Sequence, residues 1–245
     1  MTAFLADLRS TLHPARTDAL GPLPPLLVAL TIATGLVDAF SYLVLGHIFV
    51  ANMTGNVLFL GLSLVGAPGF SAASSLIALL AFALGGLLGG RLARVLGARR
   101  GRHLAVSSVI QVALFTLAAV LVAVVGVPVR RGDHYALIVV LAICMGLQNA
   151  TARSLAVPDL TTTVLTQTIS GLAADGALGA GKGSRAGRRL VAVAAMLVGA
   201  IVGGELALHG QAFAPLTVAA VLAAGVAAFA WGTTVEGSKW ANQMR

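Results

Sequence analysis

Four polar side chains stand where a chain crossing lipid should carry none. Asp38, Asn52, Thr54 and Asn56 lie in residues 35–61, GLVDAFSYLVLGHIFVANMTGNVLFLG, a stretch that is otherwise almost wholly apolar. A carboxylate and an Asn-Met-Thr-Gly-Asn run at membrane depth are costly, which makes them candidates for a functional site. A half-helix starting near Thr54 would aim free backbone N–H groups at the bilayer centre. Such an end attracts negative charge or a carbonyl oxygen. Asp38, one span away, could offset that field, take a proton or hold a cation. Gln148, Asn149, Thr166 and Gln167, all neutral, are the matching candidates from later in the chain. The alternative is that these groups cap one another and glue a helical bundle together.

The elements that position them are transmembrane. Of the 245 residues, 58% are hydrophobic and 10% charged, against about 45–50% and 25% in soluble domains. The apolar runs are long, rich in Leu, Ala, Val and Gly, and do not alternate, which excludes a barrel. The net charge of +8 comes from arginines between apolar runs. The positive-inside effect explains them better than nucleic acid does. Cys144 is the only cysteine, so disulfides contribute nothing. The opening residues carry Asp7, Arg9, His13, Arg16 and Asp18 with no separate apolar core before Pro22, so no cleavable signal peptide is expected.

Residues 1–22 read as a cytoplasmic tail, with Phe4, Leu5, Leu8 and Leu12 on one face of an interfacial helix. Residues 23–234 form a single transmembrane domain, and 235–245 a second tail. Full spans are expected near 26–45, 75–93, 104–126, 135–152, 190–208 and 213–233. Ala81, Gly85 and Gly89, and again Ala195, Gly199 and Gly203, recur every four residues. Such seams let helix backbones approach closely in lipid, and the two seams are expected to meet each other.

The halves, about 26–126 and 135–233, resemble each other at a shift of 111–114 residues. Gly35-Leu36-Val37-Asp38 faces Gly146-Leu147-Gln148-Asn149, and Thr54-Gly55-Asn56 faces Thr166-Gln167-Thr168. Placing the basic loops 91–103 and 176–189 both in the cytoplasm orients the partners oppositely, which makes an inverted 3+3 repeat. The same placement makes 47–66 and 160–176 re-entrant, each entering and leaving on one face. Eight full spans are the competing topology.

No enzyme signature appears. His47, His103, His134 and His209 do not fall at metal spacing, His13 lies in the tail, and no nucleophile elbow or phosphate loop occurs. No metal or cofactor is expected. Residues 35–43 (GLVDAFSYL) with 49–56 (FVANMTGN) resemble the YoaK-like family of bacterial membrane proteins, a domain of unknown function, over roughly 25–235. The resemblance implies a bacterial inner-membrane protein of about six spans and brings no established substrate. The second copy departs from Asn-Met-Thr-Gly-Asn to Val-Leu-Thr-Gln-Thr.

The expected protein is thus an all-α, polytopic helical bundle with six spans and two re-entrant segments, both termini cytoplasmic. The expected function is transport or channel-like passage of a small solute or ion, with a non-transporting scaffold or envelope protein as the alternative. The implied partners are the lipid bilayer and that solute, with no nucleic acid and with self-association open.

Overall fold

A computed structural model describes residues 2–14, 18, 20–96, 99–129, 131–158, 160, 162–163, 165–174, 186–235 and 239–242. Among these residues nine α-helices occur in order: α1 (Thr2–Leu12), α2 (Leu23–Val44), α3 (Met53–Leu64), α4 (Ala72–Leu96), α5 (Arg100–Val125), α6 (Arg131–Leu155), α7 (Leu165–Ala174), α8 (Ala186–Leu208) and α9 (Ala214–Val235). No strand occurs among the described residues. Six of these helices, α2, α4, α5, α6, α8 and α9, are long and apolar enough to cross a membrane. With 12 residues α3 reaches only about 18 Å, and α7 is shorter still, with 10. Neither described helix is by itself long enough for a hydrocarbon core of about 30 Å.

Burial follows the logic of lipid as solvent. Leu80, Leu87, Val120, Leu197, Ile201 and Val221 point outward and are exposed, whereas Ala78, Ala81, Ala118, Ala195, Ala219 and Ala223 are buried. Lipid tails are as apolar as Leu, so helices associate through small residues that permit close packing.

The largest interfaces are α4 with α6, α2 with α8 and α5 with α9. The two small-residue seams therefore do not meet each other, contrary to the expectation from sequence. Gly85 and Gly89 of α4 lie against Ile143 and Leu147 of α6, and Gly199 and Gly203 of α8 against Ile32 and Leu36 of α2. Each seam is answered by a glycine outside it. A β-carbon on Gly146 would collide with the Phe82 carbonyl oxygen and stand 2.9 Å from the Gly86 nitrogen. One on Gly35 would collide with the Met196 carbonyl oxygen and stand 2.7 Å from the Ala200 nitrogen. A flat, side-chain-free patch on each helix suits the other, so a seam finds a second glycine patch rather than its own repeat copy.

The pairings map onto one another when the halves are exchanged. Gly35, Ile32 and Leu36 correspond to Gly146, Ile143 and Leu147 at a shift of 111, and Phe82, Gly85, Gly86 and Gly89 to Met196, Gly199, Ala200 and Gly203 at 114. The interface of α2 with α9 corresponds to that of α6 with α5, and α3 on α4 to α7 on α8.

The N-terminal helix is docked. It packs on α8 and α2, and the Asp7 carboxylate accepts from the backbone N–H of Arg188 at 3.0 Å. Arg188 Nε also donates to Thr11 Oγ1 at 3.4 Å. The anchoring face is Asp7 and Thr11; the expected apolar face rests on Phe4 and Leu5, whose side chains lie outside the described residues, and on Leu8 and Leu12, with Leu12 exposed.

Candidate functional site

The break between α2 and α3 is held by two side chains. Helix α2 ends at Val44, and the chain returns through 45–52 before α3 begins at Met53. Val50 and Ala51 are buried there, so their N–H groups must find partners inside the protein. Asp38 supplies them. Its Oδ1 accepts from Val50 N at 3.0 Å and from Ala51 N at 2.8 Å, and its Oδ2 from Asn52 Nδ2 at 2.8 Å. Asn56, wholly buried on the first turn of α3, engages both backbone groups of Phe49. Phe49 N donates to Asn56 Oδ1 at 3.0 Å, and Asn56 Nδ2 donates to Phe49 O at 2.6 Å. The amide thus pairs with the break as a neighbouring strand would. Outside it, Tyr42, Phe49, Phe59 and Phe70 stack in a row with centroids 5.2, 5.6 and 5.1 Å apart.

Asn52 precedes the first residue of α3 but makes no side-chain cap to it, because its amide is turned to Asp38. The carboxylate therefore lies by the start of α3, where negative charge is favoured.

The second half repeats the plan with neutral groups. Thr163 Oγ1 donates to Asn149 Oδ1 at 3.0 Å. Asn149 and Thr163 sit 111 residues beyond Asp38 and Asn52, so the helix supplies the acceptor and the break the donor in both halves. Thr168, the counterpart of Asn56, is buried. Thr54, Thr166 and Gln167 are exposed and do not join these clusters.

Gln148 belongs elsewhere. It is fully buried and reaches across to α2, with Nε2 2.8 Å from Thr34 Oγ1 and 3.3 Å from Leu30 O. Thr34 gives its own hydroxyl hydrogen to Leu30 O at 3.0 Å, so it can only accept from Gln148. That fixes the amide orientation and leaves Gln148 Oε1 without a partner among the described residues. A second chain runs the same way. Thr151 Oγ1 donates to Leu147 O, hence accepts from Ser107, which in turn accepts from Gln111 Nε2 at 3.2 Å. Gln111 Oε1 is likewise buried and unpartnered among the described residues. Ser107, Gln111 and Thr151 had no assigned role from sequence; the four-residue spacing of Ser107 and Gln111 on an apolar helix was the available signal.

A cleft of about 320 Å³ lies between α2 and α8 beside the break. Asp38, Tyr42 and Asn52 border it together with Gly35, Met196 and Gly204, and Asp38 is the only carboxylate on its walls among the described residues. The walls are otherwise apolar, and Asp38 is only 3% exposed.

Comparison with known proteins agrees with this architecture. The UPF0700 transmembrane protein YoaK of Bacillus subtilis (strain 168) is 34% identical over 152 residues, which cover 61% of this chain and 65% of that protein's length. No solved structure matches. Residues 26–229, which hold all six long helices in whole or large part together with both breaks, match the family described as "Protein of unknown function (DUF1275)". The chain therefore belongs to the DUF1275 family, as a multi-pass membrane protein related to YoaK.

Proposed function

We propose that this protein is a transporter, or a channel-like protein, for a small solute or ion, without enzymatic activity and resident in the bacterial inner membrane. The observation that carries this reading is the exchange of helix partners between two like halves, each containing a break pinned to a long helix. Each half has three long helices, an odd number, so with α3 and α7 re-entrant the halves have opposite orientations. Inverted repeats with interrupted helices are a recurring plan of transporters, with the site at the repeat interface. The cleft at Asp38 and Asn52 is the loading site in this reading, and the buried oxygens of Gln111 and Gln148 are acceptors for a polar solute deeper in the bundle. This reading puts both termini and the loops 91–103 and 176–189 in the cytoplasm, residues 1, 97–98, 175–185 and 243–245 lying outside the described residues.

A second reading, a scaffold that transports nothing, is favoured by one feature. Both carboxylate oxygens of Asp38 are already engaged by the break. Proteoliposomes on a solid-supported membrane separate the two. Pulses of alkali cations, amino acids, sugars and nucleobases should yield a saturable signal for at least one of these classes, and Asn52→Leu should abolish it with the fold intact. Silence of the folded parent protein across all four classes would favour the scaffold.

A further inference from the structure

Helices α4 and α5 both pack on α6 but touch each other only slightly. They leave an apolar groove of about 340 Å³ between them. Leu88, Leu92 and Val95 of α4 and Ile110 and Leu114 of α5 form its walls, and Ile143 and Leu147 of α6 its floor. Arg91 also lines the groove. It is exposed and has no hydrogen-bond or ion-pair partner among the described residues.

The position of Arg91 is specific. It lies between Leu88 and Leu92 on the groove face of α4, about one and a half turns before the helix ends at Leu96. From there an arginine lays its aliphatic stem along apolar surface and raises its guanidinium toward the headgroup level. Arg94, Arg99 and Arg102 are exposed at the same end, and no Asp or Glu occurs between residues 88 and 110. An apolar slot beneath a planar, two-pronged cation fits one molecule in its chemistry, a lipid with an anionic phosphate head. The other half lacks the feature. The residue 114 positions on from Arg91 is Glu205, beside His209 at 3.4 Å.

We propose that the groove between α4 and α5 is a binding site for one anionic phospholipid, with an acyl chain against Ile143 and Leu147 and its phosphate on Arg91. The site does not depend on whether the protein transports a solute. It is tested on the full chain in neutral detergent by native mass spectrometry, with dioleoyl phosphatidylglycerol and dioleoyl phosphatidylcholine as probes at equal concentration. The parent should retain one phosphatidylglycerol with about fivefold preference, as expected for one arginine at the membrane surface. Arg91→Gln should remove the preference, and Arg94→Gln should leave most of it. Ile110→Trp, a change on the open side of the groove, should lower retention of both lipids. Equal retention of the two lipids by the parent overturns the proposal. So does a preference that survives Arg91→Gln, one that Arg94→Gln erases equally, or an Ile110→Trp variant that binds like the parent.

Discussion

Replacing Asp38 with Leu and with Asn separates its geometry from its charge. Leu leaves the N–H groups of Val50 and Ala51 buried with no acceptor. Each unsatisfied buried donor costs about 1–3 kcal/mol, so the pair should cost about 2–6 kcal/mol. Asn behaves differently. Its carbonyl oxygen still accepts both N–H groups, and Asn52 can rotate its amide to accept where it formerly donated. Charge-assisted bonds become neutral ones, but a buried charge is also removed, so the net cost should stay within about 2 kcal/mol. The protein carries its own reporter, since Cys144 is the single cysteine and is fully buried. A thiol-reactive fluorophore followed during heating in detergent therefore reads loss of the fold directly. The expected order of melting is parent, then Asn by a small margin, then Leu by a large one. A Leu variant that melts with the parent would show that Asp38 does not hold the break. An Asn variant as damaged as Leu would show that charge, not hydrogen-bond geometry, is what the site requires.

The seams give a positional contrast: Gly146→Ala and Gly199→Ala place a methyl on a facing backbone carbonyl and should each cost about 1–3 kcal/mol, whereas Gly232→Ala meets open space and should gain up to about 1 kcal/mol; equal melting of all three would show the close contacts to be absent. Gln148→Met removes an orphaned acceptor along with its bond to Thr34, so stability should change by less than about 1 kcal/mol. If the oxygen serves a solute, flux should fall while the melt holds; a melt lowered by several kcal/mol would mean that Oε1 has a strong protein partner. For topology, an impermeant maleimide applied from outside should modify Val65→Cys and Gly132→Cys but not Ser184→Cys, and strong outside labelling at 184 would remove the re-entrant α7 and the inverted repeat. Asp7→Ala should speed proteolytic removal of the N-terminal helix, and an unchanged cleavage rate would show that the Asp7 contact to Arg188 does not retain it.

What the sequence made legible, and what it hid, divides along physical lines. The six long helices were visible because lipid imposes a length and a composition on each span independently. Asp38 stood out for the same reason, as a carboxylate in an apolar run has no inexpensive explanation. The corrections arise where the answer depends on which faces meet. Thr54, Thr166 and Gln167 sit beside buried Asn56 and Thr168 in sequence, yet a helix turns about 100° per residue, so a neighbour in a motif need not share its face. The seams were correctly small and wrongly paired, because Gly85 and Gly199 specify only that something flat must oppose them. Gly146 and Gly35 are equally flat, and they were read as markers of the repeat rather than as its contact surface. The orphaned oxygens are a further step removed. Among the described residues, Gln148 lacks a partner for Oε1 because Thr34 has spent its hydrogen on Leu30, and Gln111 because Ser107 must donate to Thr151. The Gln148 amide is oriented by a hydroxyl that a carbonyl one helical turn away orients, and the Gln111 amide by two hydroxyls in series that end on such a carbonyl. A direction propagated from group to group across two helices leaves no mark in residue spacing, yet it leaves two buried acceptors without a partner among the described residues.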